Sequence, residues 1–549
     1  MDPLTVLPSE IVLRILEFAS IGIIANLTRT ARSWHTFIDN IHQDAIYAAH
    51  LPRASRSTTP NEYMVALKAF RPDSLSHGVR SWKEACRRRC LLQDAWDSPN
   101  PRPIATVIQI GSHPVWRFKS DFDRRLIVST SQAGGVNVVD MDTGDLLWSL
   151  GRHEVRPFAH LEYQDGTAVW DRFGNALEVW KTDLPGCVRG EFRRIALLPH
   201  DTETRGFQLS YDTLCVVSTE GEGFVYDVPT ARPEAPVTPR THLRIANGAI
   251  GHLYQCQKAV VYSMGSEGYH FHDKTSGELL GVLQPRSVSQ VQVYHIAHPV
   301  TFASDASNIV DIIGGFGGIL STQTGLPFGP QNNAERLTPM AVGQGPLTCE
   351  LRRADPEAEA QHLIPPIDED EWGAGMLNGN TMAGVSRGGR LLVCWDWQRA
   401  LSHPQDLSSF TAVIECEPSG DRSFDLGGWL SIHETVGGKR VLFEVKERIY
   451  MLSLGEDGRF ELGRPAFAVA QSIAPQITVP VSFMAIYDDC IMSTFTTLGM
   501  ELEEDGDGDG PEEQLDPPRR ERYFPTKAVR VLCLAPDVGG DASDNTDVE

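Results

Sequence analysis

The sequence predicts a multidomain α+β chain. A small three-helix domain stands at the N-terminus, a helical connector follows, and the rest is an all-β propeller of eight, alternatively seven, degenerate blades. Three observations predict this. The first 50 residues carry apolar side chains at helical spacing. From about residue 104 that period gives way to short apolar runs separated by Gly, Asp and Pro turns. A worn strand–turn–strand unit then recurs at intervals in the forties, the length of one four-stranded blade. The expected boundaries are 1–50 for the helical domain, 51–103 for linker and connecting helix, and 104–536 for the propeller. Insertions are expected near 330–371 and 500–524, and 537–549 reads as an acidic tail.

In the first region, "LPSEIVLRILEFAS" (7–20) puts Ile11, Ile15 and Phe18 at i, i+4 and i+7, with Val12 and Leu16 beside them. Pro8 suits a first turn and Glu10 the positive end of a helix. Gly22 marks a break, and the pattern predicts a second helix over 23–30. A third over 33–51 would set Trp34, Phe37, Ile38 and Ile41 on one side. The stretch is not a signal peptide: Arg14 and Glu17 interrupt it, and Asp2 stands where a basic region would be.

In the connector, "PRASRSTTPNE" has loop composition. "SWKEACRRRCLLQDAW" (81–96) reads as a basic amphipathic helix with Trp82, Ala85, Cys86 and Arg89 on one line, continued by Leu92 and Trp96.

In the β region the repeat is clearest in "VNVVDMDTGDLLWSL" and "GYHFHDKTSGELLGVL", each a strand, an Asp, a T-G or S-G turn and a strand. Aligned on the strand end, the copies give Asp140, Lys181, Asp227, Asp273, Ser321 and Asp396. The first four gaps are 41, 46, 46 and 48 residues; the fifth is 75, which is assigned to the insertion at 330–371. Strand groups at 439–454 and 482–535 bring the count to eight. Seven is the rival, because the copy at Ser321 keeps only its turn. Closing such sheets into a ring leaves only short edges exposed.

Composition narrows the function. At 549 residues the chain exceeds one ordinary core, while 41% hydrophobic content rules out wholesale disorder. A net charge of −23 opposes general binding to nucleic acid or anionic membranes. No run reaches the ~18 apolar residues that span a bilayer. Ten cysteines without a framework read as reduced thiols, which implies a cytoplasmic or nuclear protein. Cys86 and Cys90 lack zinc spacing and a matching pair.

The N-terminal segment resembles an F-box, on Leu7, Pro8, Glu10, Ile11, Ile15, Leu16, Ile24, Leu27 and Trp34, over about 45 residues. The segment Trp82, Lys83, Arg89 and Trp96 is similar to the helix that precedes the propeller in F-box proteins with WD repeats. The departures are clear. Trp395-Asp396 is an intact Trp-Asp pair at a repeated strand end and Gly251-His252 a lone Gly-His, so the buried Asp–His–Ser/Thr–Trp network of WD repeats is mostly absent. The blades are expected to rely on apolar packing instead. The resemblance implies a non-catalytic substrate receptor of an SCF-type cullin-RING ubiquitin ligase. It would dock on a Skp-type adaptor and through it on cullin and RING subunits, and capture a protein substrate with the propeller. Leu7, Pro8, Ile11, Ile15, Leu16 and Ile24 are expected to touch the adaptor, and Leu27, Trp34 and Ile38 to hold the helices together. The alternatives are a propeller scaffold acting outside a ligase and a propeller enzyme.

Catalytic and cofactor motifs do not emerge. "HETVG" (433–437) has Gly437 where a zinc protease needs its second His. "DGDGDGPEEQLD" (505–516) opens like a calcium loop but has Pro511 at position seven and Asp516 at twelve, so it reads as a solvated acidic loop. No phosphate loop or dinucleotide fingerprint occurs. His270 and His272 share one strand face and read as blade packing. "CRRRC" reads as a mostly solvated face or as contacts to the linker. No cofactor, metal, nucleic acid or membrane is expected.

Overall fold

The computed structural model describes residues 2–536 except 52–56, 58, 112, 174, 235, 246–251, 288–289, 298–345, 354–365, 417–427, 436–437, 446–447, 472–480 and 503–520. Helices fill the first hundred residues. They are α1 (Pro3–Val6), α2 (Ser9–Glu17), α3 (Ile21–Thr30), α4 (Arg32–His35), α5 (Gln43–Ala49), α6 (Pro60–Val65), α7 (Pro72–Ser76) and α8 (Trp82–Trp96). Side chains cap several starts: Asp2 accepts from Leu4 N at 3.1 Å, Ser20 from Ile23 N at 3.3 Å, and Ser81 from Glu84 N at 3.2 Å. Thr59 and Glu62 form a reciprocal capping box. The third helix expected over 33–51 is broken. A π-helical stretch, Thr36–Ile41, separates α4 from α5. Its wider turn buries Ile38 while Asp39 faces Lys83 and Tyr47.

The remainder is a seven-bladed propeller, the alternative count. Seven sheets form among the described residues, and four are simple antiparallel meanders of four strands. Their first strands are Val115–Asp121, Leu161–Gln164, Thr204–Ser210 and Leu253–Gln255. Blade five starts at Trp372–Asn378, blade six at Leu430–Thr435 and blade seven at Met484–Ile486. These seven strands stand side by side around a central channel. Each runs in the same sense, so strand starts share one mouth of the channel and strand ends the other. Blade seven is completed by Ile104–Ile108, which pairs antiparallel with Glu521–Cys533 and closes the ring.

The unit expected around Ser321 lies outside the described residues. The strands flanking it do not make a blade of their own. Gln292–Ala297 adds in parallel to Thr411–Glu415 of blade five, with Glu350–Arg353 outside it. Leu347–Thr348 adds to the outer edge of blade six. One stretch of chain thus widens two neighbouring blades to six and five strands. The repeated Asp does have a structural role: Asp140 accepts from Asp142 N and Thr143 N, and Asp273 from Thr275 N and Ser276 N, all within 2.9 Å.

Apolar packing dominates the blades, but buried ions also stand within and between them, contrary to the expectation from worn repeats. Arg390 pairs with Asp370 at 2.7 Å and Glu415 at 2.9 Å, all three buried. Lys274 is 1% exposed and donates to Thr213 Oγ1, Gln255 Oε1 and Cys256 O. Between blades four and five, Tyr269 lies across Gly375 and Gly384, where a Cβ at Gly384 would meet its hydroxyl at 2.2 Å.

Candidate functional site: a helical mount on the propeller

The helices do not float on a linker. The turn Tyr487–Cys490 of blade seven holds them. Asp488 pairs with Arg89 at 2.9 Å, accepts from Lys68 N at 2.9 Å, and offers its carbonyl to Trp96 Nε1 at 3.0 Å. Asp489 accepts from Phe70 N at 2.7 Å and Arg71 N at 2.9 Å. From blade one, Arg125 donates to the carbonyls of Ala69 and Phe70, both at 2.8 Å. From blade six, Arg440 lies 4.4 Å over the Trp96 ring and donates to Gln93 Oε1 at 2.7 Å. Asp488, Asp489 and Arg125 sit in turns that follow first strands and Arg440 near the start of the next strand, so α8 packs on the strand-end face of the propeller, against blades six and seven.

The electrostatics follow from this packing. Burial alone would raise the Asp488 carboxyl. His433, 3.5 Å away, and Arg89 outweigh it and hold the group well below the usual carboxylate range. Asp489 meets backbone N–H groups and the thiols of Cys490 and Cys533, and burial pushes it up. Burial lowers Arg440 to about 9.

The "RRR" run is therefore not mostly solvated. Arg87 is exposed, but Arg88 donates to the Ser74 and His77 carbonyls and Arg89 faces blade seven. The buried face of α8 comprises Trp82, Ala85, Cys86, Arg88, Arg89, Leu92 and Trp96. On it ride the first helices, with Lys83 donating to Asp39 at 2.9 Å and α5 packed along α8.

Two apolar stripes run down α2. Val12 and Leu16 enter the core with Ile24, Ile38 and Ile46. Ile11, Ile15 and Phe18 point outward, at 49%, 54% and 78% exposure, with Leu7 and Pro8 also exposed just before them. Of the residues expected to touch an adaptor, Leu7, Pro8, Ile11 and Ile15 are exposed, whereas Leu16 and Ile24 are buried. Both belong to the core: Leu16 lies on the inward stripe of α2, and Ile24 is the buried residue of α3 that packs against it. Phe18 takes their place on the outer face; its i, i+7 spacing from Ile11 was the available signal. Ile38 is fully buried, and Leu27 and Trp34 pack partly buried against the same core.

At the opposite mouth the channel is filled. Arg117 donates to His160 Nε2 at 2.9 Å and lies 4.5 Å over Trp429. Lys119 donates to Glu162 at 3.1 Å and lies 4.5 Å over Phe483. These contacts reach from blade one to blades two, six and seven. Burial lowers His160 to about 3; burial would raise Glu162, but Lys119 and His160 hold it at about 2. Among the described residues no group of three His, Cys, Asp or Glu could hold a metal ion. His433 of "HETVG" faces Asp488, and His272 lies 3.2 Å from the Gly277 carbonyl. The loop 505–516 lies outside the described residues.

No protein-family model matches the chain, and no curated protein matches it. Among solved structures it is similar to BamB from Moraxella catarrhalis, at 10% identity and a TM-score of 0.34, over 71% of this chain and 97% of that one. It is also similar to Sqt1 from Saccharomyces cerevisiae, at 9% identity and 0.39, over 78% and 98%. At these values neither likeness carries an argument about function. The propeller rests on the sheet order, which presents a ring suited to protein partners in general.

Proposed function

We propose that this chain is a non-catalytic substrate receptor, with α1 and α2 docking on a Skp-type adaptor and the propeller capturing a protein for ubiquitination. One observation carries the reading: the solvent-facing row Leu7, Pro8, Ile11, Ile15 and Phe18 on a helix whose other face is already buried. A row of large apolar side chains on a rigid mount suits helix-in-groove docking. The F-box resemblance of the same residues names the partner. Clamping by Asp488, Asp489 and Arg125 supports it further, because a ligase needs a fixed distance between adaptor and substrate. Catalysis would come from proximity, with no reacting group in this chain. The ten cysteines, all free thiols, fit a reducing compartment such as the cytoplasm or nucleus.

The test is recovery of purified Skp adaptor on the immobilised full chain. Ile11→Asp/Ile15→Asp and Leu7→Ala/Pro8→Ala should each lower recovery strongly. Equal recovery by wild type and both variants would falsify the docking.

A further inference from the structure

The strand Glu521–Cys533 of blade seven buries a charge that no described acid balances. Arg530 is 0% exposed. Its Nη2 donates to the carbonyl of Ala470, the last residue of Ala466–Ala470 in blade six. The guanidinium lies 4.0 Å over the Phe495 ring, and its Nε and Nη1 have no hydrogen-bond partner. Burial lowers the group to about 9 with no carboxylate to oppose the shift, so at neutral pH it stays charged. The other buried arginines among the described residues each have an acid nearby. Arg88 has Glu84 at 2.9 Å, Arg89 has Asp488 at 2.9 Å and Arg390 has Asp370 at 2.7 Å, while Asp97 and Asp488 act on Arg440. A buried charge costs so much when uncompensated that it is ordinarily paired.

The strand register brings a further donor to the same side. Across to Cys490–Leu502, Arg530 stands opposite Ser493, Ala528 opposite Phe495 and Thr526 opposite Thr497. Opposed residues share a face and so do alternate ones, which puts Arg530, Phe495 and Thr526 together. The guanidinium over Phe495 therefore reaches toward Thr526, which is 0% exposed and whose Oγ1 also has no partner. Lys527 turns to the other face, where it donates to Ser482 and feels the Glu444 charge. On the Arg530 side, two N–H groups, a hydroxyl and a positive charge are left for one acceptor.

We propose that Arg530 and Thr526 hold a halide ion of chloride size in the wall between blades six and seven. A single guanidinium matches a monovalent anion, and so few donors suit a spherical ion. Phosphate or sulfate would bring more oxygens than the donors can meet and a second unbalanced charge. Full burial excludes a carboxylate from another macromolecule. The net charge of −23 does not oppose the ion, because it acts through solvent and is screened beyond about 8 Å, whereas the ion touches the guanidinium. Arg530 ties the closing blade to its neighbour through Ala470, so the ion stabilises the closed ring. The site stands apart from the adaptor reading.

The experiment uses the full chain in sodium gluconate, with chloride replacing gluconate at constant ionic strength and pH. Thermal melts and equilibrium dialysis against radioactive chloride are read side by side. Wild type should melt about 2 °C or more higher in chloride, because a ligand of the folded state alone stabilises it, and should retain about one ion per chain. Arg530→Met fills the same space without a charge, so it should fold, retain no chloride and melt alike in both salts. Thr526→Val keeps the shape and loses one donor, so it should bind chloride about threefold or more weakly. Three results would each overturn the proposal: a wild-type melt that ignores chloride, no chloride retained by wild type in dialysis, or an equal chloride effect in wild type and both variants. If Arg530→Met does not fold, Thr526→Val decides, and an unchanged chloride affinity there overturns the site.

Discussion

Asp488→Ala tests the mount at its most loaded atom. The substitution removes the carboxylate paired with Arg89 at 2.9 Å and the acceptor for Lys68 N. Arg89 cannot turn to water, since its side chain is only 7% exposed and its Nε already lacks a partner. Breaking a buried pair by removing one partner costs about 3–5 kcal/mol, mostly from the stranded charge. Asp488→Asn keeps an acceptor for Lys68 N and should cost less. The carboxyl is held below its ordinary value, so the stability it adds is full above its unfolded pKa of about 4 and is lost as pH falls below that. Trp96 reports the event, because its indole donates to the Asp488 carbonyl and stacks on Phe467. Urea unfolding followed by tryptophan fluorescence, with limited proteolysis around residues 68–81, measures it. Earlier unfolding, with new cleavage in that segment, is expected. A loss under about 1 kcal/mol with unchanged proteolysis would refute the account of the clamp.

The other predictions concern separate parts of the chain. Leu16→Ala should cost about 2–5 kcal/mol and Ile15→Asp within about 0.5 kcal/mol in a thermal melt, although the two are neighbours. Gly384→Ala should cost about 1–3 kcal/mol by driving a methyl into Tyr269, seen as a lower urea midpoint. Lys274→Met removes the donor to Thr213 Oγ1, Gln255 Oε1 and the Cys256 carbonyl at a cost of about 1–3 kcal/mol. Burial lowers the lysine's folded pKa, so wild-type stability should gain on that of the variant as pH rises toward about 10.4. His160 at about 3 and Glu162 at about 2 both bind protons more tightly when unfolded. Wild type should therefore lose stability as pH falls below about 6.5, and His160→Gln should flatten the upper part of that loss in acid titration followed by circular dichroism.

Periodicity was enough to find α2, α3, the inward face of α8 and the strand-rich character beyond residue 104, because burial imposes a spacing on apolar residues; the short α1, α6 and α7 left no such pattern. It could not divide the two stripes of α2. Ile11 and Leu16 are equally apolar, and only the position of α5 beneath the helix decides which is covered. The blade count stayed open between eight and seven for a related reason: a T-G turn and a short apolar run at 317–328 look like a blade fragment whether or not four strands assemble there. The mount was hidden in "YDDC", two acids in an apolar hairpin. Their partners, Arg89 and the backbone of Lys68, Phe70 and Arg71, stand some 400 positions earlier. No local pattern links residues so far apart.

The pairing of Ile104–Ile108 with Glu521–Cys533 sets an order of events during synthesis. Blades one to six can form as their residues leave the ribosome, but blade seven needs a strand made early and strands made last. The same late segment supplies Asp488 and Asp489, so the helices made first wait for almost the whole chain before their seat exists. During that interval the apolar rows of α2 and α8 stand uncovered together. Assembly is therefore slow in the way of any structure dominated by distant contacts. A chain interrupted before residue 488 would carry the exposed apolar row of α2 on a module that keeps only the contacts of Arg125 and Arg440.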